Sequence, residues 1–421
     1  MVQSKIKTGL KVELALVAIV ILAGLLIRSV NYKLHLNFST DQAVFSTNAL
    51  EIFRERKITL LGPTASFIVE GRRIFQGSVI FYTDLAFLLF GNFDPIKSSF
   101  AFTVFSVLMI FPLYFGVKWL SNKKTAFFVS IIYSLLPFYV NYTRFLFNIN
   151  FQLALTPLLI FSMGLYEKVK KRKSLIMAFT GIITGILVQF HYQFVVVALM
   201  LVLYYWFFKK IQFKSLLLLF LGMVTGFLPM IIFEIRHNFY NLQTILFFIQ
   251  RKSEFAKNNL KGFGGISHYF LTISIMLLVI LSSILKPKFK NVYLSSLFFI
   301  LFSIDLYLYI PKPTNSFGNP PNWNYLAEAK AHEYLMEENL SNFNVVNLAY
   351  DTVAEVQKYL LRKDGVNINF EDYYHNNYLF VISNKKFIDD PAYEIRTFKP
   401  SRIIKTWKLN DFYSLYLLKR G

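Results

Sequence analysis

Residues 74–90 read IFQGSVIFYTDLAFLLF, and the relation of this apolar run to the membrane decides the topology of the chain. A run of this length is ambiguous between a short transmembrane helix and a segment that does not cross, and the basic loops described below decide between them. It also contains Asp84 and opens on Gln76-Gly77-Ser78. We therefore interpret residues 74–90 as a helix that lies at the outer membrane surface or re-enters the membrane without crossing it.

The remainder of the first 310 residues is strongly apolar. Hydrophobic residues make up 55% of the 421-residue chain, charged residues make up 16%, and the mean hydropathy is +0.45. Such values are typical of a multispanning membrane protein. We expect an α-helical integral membrane protein whose transmembrane domain, 1–310, has about nine transmembrane helices, near 11–28, 97–117, 125–142, 151–166, 174–190, 192–208, 215–233, 265–285 and 291–310.

Basic residues indicate the orientation of these helices. The formal net charge is +21, and short lysine-containing loops lie at 118–124, 168–173, 209–214 and 286–290. With the N-terminus inside, these loops are cytoplasmic, as the positive-inside rule expects, only if 74–90 does not cross, because a crossing would place all of them outside. We expect a cytoplasmic N-terminus on a retained signal anchor in the cell membrane. Nucleic-acid binding explains the charge poorly, because the basic residues lie between apolar segments.

Two long loops then face outward, 29–96 and 234–264, and both contain basic residues. Translocated surface charge and an anion site would both explain them. The tail, 311–421, opens with prolines and glycine and predicts a small extracytoplasmic α/β domain. Its expected elements are a helix at 323–340, a strand at 343–350, a helix at 352–362, a strand at 378–383 and a hairpin of 402–409 with 412–419.

Asp41 is the candidate catalytic residue. It follows Phe38-Ser39-Thr40 and precedes an expected helix that reaches about Arg56. A carboxylate at this position stabilises the positive end of the helix. The same carboxylate, held close to the membrane surface, is well placed to take a proton from an acceptor hydroxyl. The two roles are compatible.

Charged residues near the outer face are the candidates for anion binding. Arg72 and Arg73 have guanidinium groups that suit bidentate contact with phosphate, although ordinary lipid headgroups would attract them too. Glu234 and Arg236 end a predicted span, where they would pair with each other or with Arg72 and Arg73. A charge at such a position is a functional hypothesis by default. Asp305, inside the last predicted span, has no evident partner in the sequence.

Two asparagines and one histidine at outer turns are the remaining candidate site residues. Asn148 and Asn150 begin a predicted helix, where amides also act as caps. His191 lies at another outer turn, where a lone histidine is more often structural than catalytic. The chain has no cysteine and no second histidine at ligand spacing, so it predicts no metal site, no thiolate chemistry and no cofactor, with a divalent metal left as an open alternative.

The order of short motifs resembles a known family. The motifs are Asp41-Gln42, Leu60-Leu61-Gly62-Pro63-Thr64, Phe75-Gln76-Gly77-Ser78 with Phe81-Tyr82, the run from Phe90 to Pro95, Tyr142-Thr143-Arg144 with Asn148-Ile149-Asn150, Gln189-Phe190-His191-Tyr192, and the run from Phe233 to Asn238. Over about 1–310 the chain resembles bacterial and archaeal membrane glycosyltransferases of the C-type (GT-C) fold. These are relatives of the protein O-mannosyltransferases (glycosyltransferase family 39) and of the lipid A aminoarabinose transferase. The tail is similar to the variable extracytoplasmic domains of that group.

The resemblance implies an inverting transfer from a polyprenyl-phosphate-linked sugar to a glycan, lipid or protein acceptor at the outer face of the bilayer. Asp41 matches the usual general base, and Arg72 or Arg73, with Arg236, would bind the donor phosphate. The residues implied in the donor or acceptor pocket are Gln42, Tyr82, Asn148, Asn150, His191, Glu234 and His237.

The chain departs from the family pattern at three places, one of which is that Gly77-Ser78 lacks the Lys or His common near this point, which leaves the phosphate contacts to the arginines. Many members carry an acidic pair where this chain has Asp41-Gln42. Asn148-Ile149-Asn150 replaces a second acid or an Asn-Pro-Asn motif. The sequence therefore predicts a single base, and a metal-bridging role is disfavoured.

Two other classes of protein compete with an enzyme. A lipid or sugar transporter or flippase usually has polar or broken spans near mid-membrane. A non-catalytic membrane scaffold that displays the tail would have no site at all. The concentration of polar residues at the outer ends of the predicted spans favours the enzyme.

Overall fold

The computed structural model describes residues 2–69, 71–250, 268–366, 368–384, 387 and 390–421. Within these ranges the chain is mostly helical and divides into two compact units. The helical unit comprises Met1–Val30, Lys57–Phe87 and Phe100–Leu308, and the sheet unit comprises Asn31–Arg56, Leu88–Ser99 and Tyr309–Gly421. The basic residues predicted in the outer loop beyond residue 250, including Arg251, Lys257 and Lys261, lie outside the described residues.

Most of the described elements before the tail are helices, and β1 and β2 are the strands among them. Up to residue 250 they are α1 (Val2–Ser29), α2 (Tyr32–His35), α3 (Thr40–Glu55), β1 (Leu61–Val69), β2 (Arg72–Gly77), α4 (Val79–Phe90), α5 (Pro95–Leu108), α6 (Ile110–Leu120), α7 (Lys123–Leu135), α8 (Pro137–Tyr142), α9 (Asn148–Lys168), α10 (Lys173–Phe190), α11 (Phe194–Leu203), α12 (Phe213–Gly226), α13 (Leu228–Arg236) and α14 (Tyr240–Gln250). From residue 268 they are α15 (Leu271–Leu285), α16 (Asn291–Tyr309), α17 (Tyr325–Glu337), β3 (Phe343–Asn347), α18 (Glu355–Lys363), β4 (Tyr378–Ser383), α19 (Tyr393–Arg396), β5 (Ser401–Lys408) and β6 (Ser414–Arg420).

Among the described residues, six helices are long and apolar enough to cross a membrane. They are Leu10–Ser29, Pro95–Leu120, Asn148–Lys168, Lys173–Phe190, His268–Leu285 and Asn291–Tyr309. The bent pair α12 and α13 makes a seventh if it counts as one span. The prediction of a helical protein of the membrane type is confirmed, whereas the predicted number of nine spans is wrong.

The difference arises because hydropathy does not register interruptions within an apolar segment. The predicted span 125–142 breaks at Leu136, whose backbone is extended because it precedes Pro137. The predicted span 192–208 forms α11 and a following π-helical turn, Tyr204–Phe208, which together are shorter than a span. The predicted span 215–233 bends by 66° where α12 meets α13.

The segment 74–90 is also not one helix. Its first residues belong to β2, which pairs antiparallel with β1, and helix α4 begins only at Val79. Gly71 stands before β2 with φ of +78°, a left-handed conformation that glycine adopts without strain. At 1.5 Å per residue α4 is about 18 Å long, less than the roughly 30 Å of a bilayer core. Its location at the membrane surface stays a prediction.

The tail forms the predicted α/β structure. Its four-stranded sheet has the order β3-β4-β6-β5, with β3 parallel to β4 and the other neighbours antiparallel. The predicted helices and strands are confirmed as α17, β3, α18, β4 and the β5–β6 hairpin. The buried core of the sheet unit includes Trp323, Leu335, Val345 and Phe380. Helix α3, from the first predicted outer loop, belongs to the same unit and packs against α18.

Candidate functional site

Asp41 lies in the first turn of α3 in the sheet unit, with its side chain exposed. The helix begins with a capping box, in which Ser39 donates from its backbone nitrogen and from its hydroxyl to Oε1 of Gln42, at 3.1 and 2.8 Å. Gln42 is buried, so this predicted pocket residue has a structural role at the helix start. Ser39 is therefore the cap, and Asp41 lies in the first turn, where its charge favours the helix dipole and takes no part in the capping box.

A second acid lies near Asp41, and the sequence interpretation missed it. Oδ2 of Asp351 accepts hydrogen bonds from the Thr40 hydroxyl and from the backbone nitrogen of Glu355, each at 3.0 Å. Desolvation by the surrounding protein and then repulsion from the Asp351 carboxylate raise the pKa of Asp41 above its ordinary value. Asp351 holds the starts of two helices together and also makes Asp41 a stronger base.

Arg72 and Arg73 begin strand β2 in the helical unit, and both side chains are exposed. The Arg72 guanidinium lies 5.6 Å from the ring centre of Phe247, within cation–π distance. The Arg73 backbone nitrogen donates to the Tyr240 hydroxyl at 3.4 Å. Both contacts leave guanidinium hydrogens for an anion.

The strand that carries these arginines is anchored through Asn241, which is buried in α14. Asn241 exchanges two hydrogen bonds with the backbone of Phe75, accepting at 2.9 Å and donating at 3.1 Å. The Tyr192 hydroxyl donates to the same Phe75 carbonyl. These contacts fix β2 against α14, so the arginines have a rigid base.

Glu234 supports the same contact between α14 and β2. Its two carboxylate oxygens accept from the backbone nitrogens of Asn241 and Leu242, each at 3.2 Å. Both oxygens thus cap the exposed amide end of α14, rather than pairing with an arginine as one sequence interpretation proposed. Arg236 ends α13 with an exposed side chain. His237 is held by the Phe233 carbonyl at 3.0 Å and stacks on the Phe233 ring at 4.4 Å.

The two candidate asparagines are buried at the start of α9. The Asn148 amide donates to Oε1 of Gln76 at 2.8 Å and so joins α9 to β2. The Asn150 amide donates to the Phe145 carbonyl at 3.0 Å, and the side chain has no exposed surface. Asn148 therefore supports β2, whereas Asn150 holds the start of α9 to the turn before it and has no surface to offer to a ligand.

His191 and Tyr82 are also held by neighbouring residues. Burial and then the nearby His268 lower the pKa of His191 to about 4, so the ring is neutral at pH 7. Its ring centre lies 4.8 Å from that of Tyr269. The Tyr82 hydroxyl accepts from the Thr59 nitrogen at 2.9 Å and donates to the Thr59 carbonyl at 3.0 Å. A neutral His191 supplies no charge to a phosphate.

A buried charge cluster in the helical unit gives Asp305 the partners that the sequence did not reveal. Asp305 is fully buried and interacts electrostatically with Arg28 and Arg144. The Arg28 guanidinium also donates to the Thr143 hydroxyl and to the Ser134 carbonyl, each at 2.7 Å. Arg144 donates to the Arg28 carbonyl at 2.9 Å. Hydrogen bonds of Arg28 and Arg144 join α1 to the turn after α8, whereas Asp305 of α16 interacts with both only electrostatically and its oxygens accept no hydrogen bond in the described residues.

The structure thus connects several predicted site residues through β2: the arginines at its start, Asn148 through Gln76, and Glu234 through Asn241. Asp41 and Gln42 belong to the sheet unit. In the part of the chain that the structure describes, no three His, Asp or Glu side chains are grouped so that they could hold a metal ion. No protein-family model matches the chain, and a search of curated proteins finds no match to it.

Proposed function

We propose that the protein is a membrane glycosyltransferase that moves a sugar from a polyprenyl-phosphate donor to an acceptor hydroxyl at the extracytoplasmic face, with inversion at the anomeric carbon. The observation that carries the proposal is Asp41, an exposed carboxylate that is free of the helix cap and has a raised pKa. A general base works best when its pKa approaches the working pH. The order of motifs in the sequence supports the same assignment.

In the proposed reaction the acceptor oxygen forms a bond to the anomeric carbon, and the bond from that carbon to the donor phosphate oxygen breaks. Asp41 takes the proton of the acceptor hydroxyl as the new bond forms. Polyprenyl phosphate leaves with the electron pair of the broken bond. The reaction needs no nucleophile from the enzyme, which agrees with a chain that lacks cysteine.

Arg72, Arg73 and Arg236 are proposed to stabilise the negative charge that grows on the leaving phosphate. Support comes from their exposure and from the anchoring of β2 by Asn241 and Tyr192, because a fixed donor costs little reorganisation during the reaction. Loss of Arg72 or Arg73 should weaken donor binding more than it slows proton transfer. Glu234 and Asn148 are proposed to act indirectly, by supporting β2.

The test is Asp41→Asn in a transfer assay with purified protein and a polyprenyl-phosphate sugar. Removing a positioned general base should lower kcat by about 10²- to 10⁴-fold. Glu51→Gln is the matched control, since Glu51 is exposed on the same helix and should leave turnover unchanged. Full turnover by a folded Asp41→Asn protein would remove Asp41 from the mechanism.

A transporter or flippase is the second candidate, and two observations favour it. The α12–α13 pair bends by 66° within one apolar segment. Asp305 and Arg28 place buried charge in two spanning helices, and Arg144 is buried in the turn after α8. Interrupted helices and buried charges are typical of transporters. Translocation of a fluorescent polyprenyl-phosphate lipid across proteoliposomes, without sugar transfer, would identify this function.

A further inference from the structure

An apolar furrow runs along the helical unit between α1, α7 and α16. Its first part is a cavity of about 540 Å³ whose walls include Leu16, Phe127, Ile131 and Phe298. A second cavity, of about 670 Å³, continues it along α1 and shares Ile19 and Phe298 with the first. The furrow is open because the two helices that border it are poorly covered by the rest of the protein. Only 28% of the spanning residues of α1 and 22% of those of α16 are buried, against 78% for α9.

The length of the furrow fits a lipid acyl chain. It follows α1 from Leu16 to Ser29. At 1.5 Å per residue this distance is about 20 Å. One leaflet contributes about half of the roughly 30 Å hydrocarbon core. An extended acyl chain of one leaflet can therefore lie in the furrow along its length.

One end of the furrow is basic. Lys123 and Lys124, at the start of α7, line it together with Asn291. The buried carboxylate of Glu13 contacts Lys118 and, at 2.6 Å, Lys123. Lys124 is exposed, and it forms no ion pair with a carboxylate in the described ranges. Three lysines against one glutamate leave an excess of positive charge where the apolar furrow ends.

The lysine-containing loop before α16 lies beside this end. The Asn122 amide and the Thr125 hydroxyl both contact the Pro287 carbonyl, at 3.2 and 3.3 Å. Lys288 and Lys290 lie one and three residues further along the sequence, and both are exposed. The mouth of the furrow is therefore basic on both α7 and the loop, a charge pattern that complements a phosphate headgroup.

We propose that this furrow binds an anionic diacyl phospholipid, with an acyl chain between α1 and α16 and its phosphate at Lys123 and Lys124. Basic pockets between transmembrane helices recognise anionic headgroups in this way. The lipid would complete the packing of the poorly covered helix α16. The proposal is independent of the glycosyltransferase assignment, because none of the candidate site residues lines the furrow.

The test compares phosphatidylglycerol with phosphatidylcholine on the purified full-length protein. Native mass spectrometry should show phosphatidylglycerol retained through delipidation, and titration with it should raise the Tm more than phosphatidylcholine does. Lys124→Gln should weaken phosphatidylglycerol binding about fivefold. Ser295→Trp, which fills the furrow, should weaken binding of the lipid roughly tenfold or more.

Matched controls separate the furrow from the general surface. Ser296→Trp adds the same bulk to the next exposed position of α16, and Lys171→Gln removes a charge from an exposed loop residue outside the furrow. Both controls should bind as the natural protein does. Equal retention of the two lipids, or equal affinity of Ser295→Trp and Ser296→Trp, would overturn the proposal. If Ser295→Trp does not fold, an unchanged affinity of Lys124→Gln relative to Lys171→Gln would overturn it as well.

Discussion

At the scale of single residues, Asp351 adds to the basicity of Asp41. The Asp351 carboxylate repels a second negative charge and so contributes, after desolvation, to the raised pKa of Asp41. Asp351→Asn keeps an acceptor oxygen for Thr40 and Glu355 but removes the charge. The pKa of Asp41 should fall. Because a general base works in its deprotonated form, the acidic limb of the kcat/KM profile should move to lower pH.

The measurement is the pH dependence of kcat/KM for sugar transfer, since this ratio reports groups of the free enzyme. Asp411→Asn is the control, because Asp411 is an exposed acid of the sheet unit that pairs with Lys408 at 2.7 Å. Its profile should match that of the natural protein. An unshifted acidic limb in Asp351→Asn would contradict the assignment of that limb to Asp41.

At the scale of helices, the Arg28–Arg144–Asp305 cluster brings together buried charged groups of α1, the turn after α8, and α16. Asp305→Asn removes a buried carboxyl group that interacts electrostatically with Arg28 and Arg144. In the described residues its oxygens accept no hydrogen bond, so the loss should be smaller than the roughly 3–5 kcal/mol of a broken buried ion pair but larger than that of an exposed pair. Thermal unfolding in detergent, followed by tryptophan fluorescence, should therefore show a clear fall in Tm.

The comparison for this variant is Glu167→Gln, which breaks a more exposed ion pair with Lys209, at 3.1 Å, in the same unit. Such pairs contribute about 0–1 kcal/mol, so the Tm should change little. If the two variants lowered the Tm equally, the interaction of Asp305 with the two arginines would contribute no more than an exposed ion pair.

At the scale of the whole molecule, local sequence patterns predicted the secondary structure better than they predicted long-range contacts. Strands β4, β5 and β6 follow from alternating and β-branched residues between turn signals, so their positions could be predicted closely. The strand at the start of 74–90 could not be predicted, because a short apolar run is compatible with a strand and with a helix. The approach of Asp351 to Asp41 depends on tertiary packing, and no local signal indicates it.

The orientation of the chain is a further prediction at this scale. The chain has no cysteine, so a single introduced cysteine is the only group that a thiol reagent can label. Asp411→Cys in the sheet unit should react with a membrane-impermeant maleimide on intact cells. Lys171→Cys, in a loop predicted to be cytoplasmic, should react only after the membrane is permeabilised. The reverse pattern would contradict the positive-inside orientation and the extracytoplasmic location of Asp41.

The central claim is that Asp41 is the base in sugar transfer from a polyprenyl-phosphate donor. The most direct measurement is the release of free polyprenyl phosphate in a single turnover by the natural protein and by Asp41→Asn, both with donor bound. The account predicts release in step with acceptor glycosylation by the natural protein, and release slowed about 10²- to 10⁴-fold in the variant. Equal rates of release by the two proteins, or no release by either with donor and acceptor present, would contradict it.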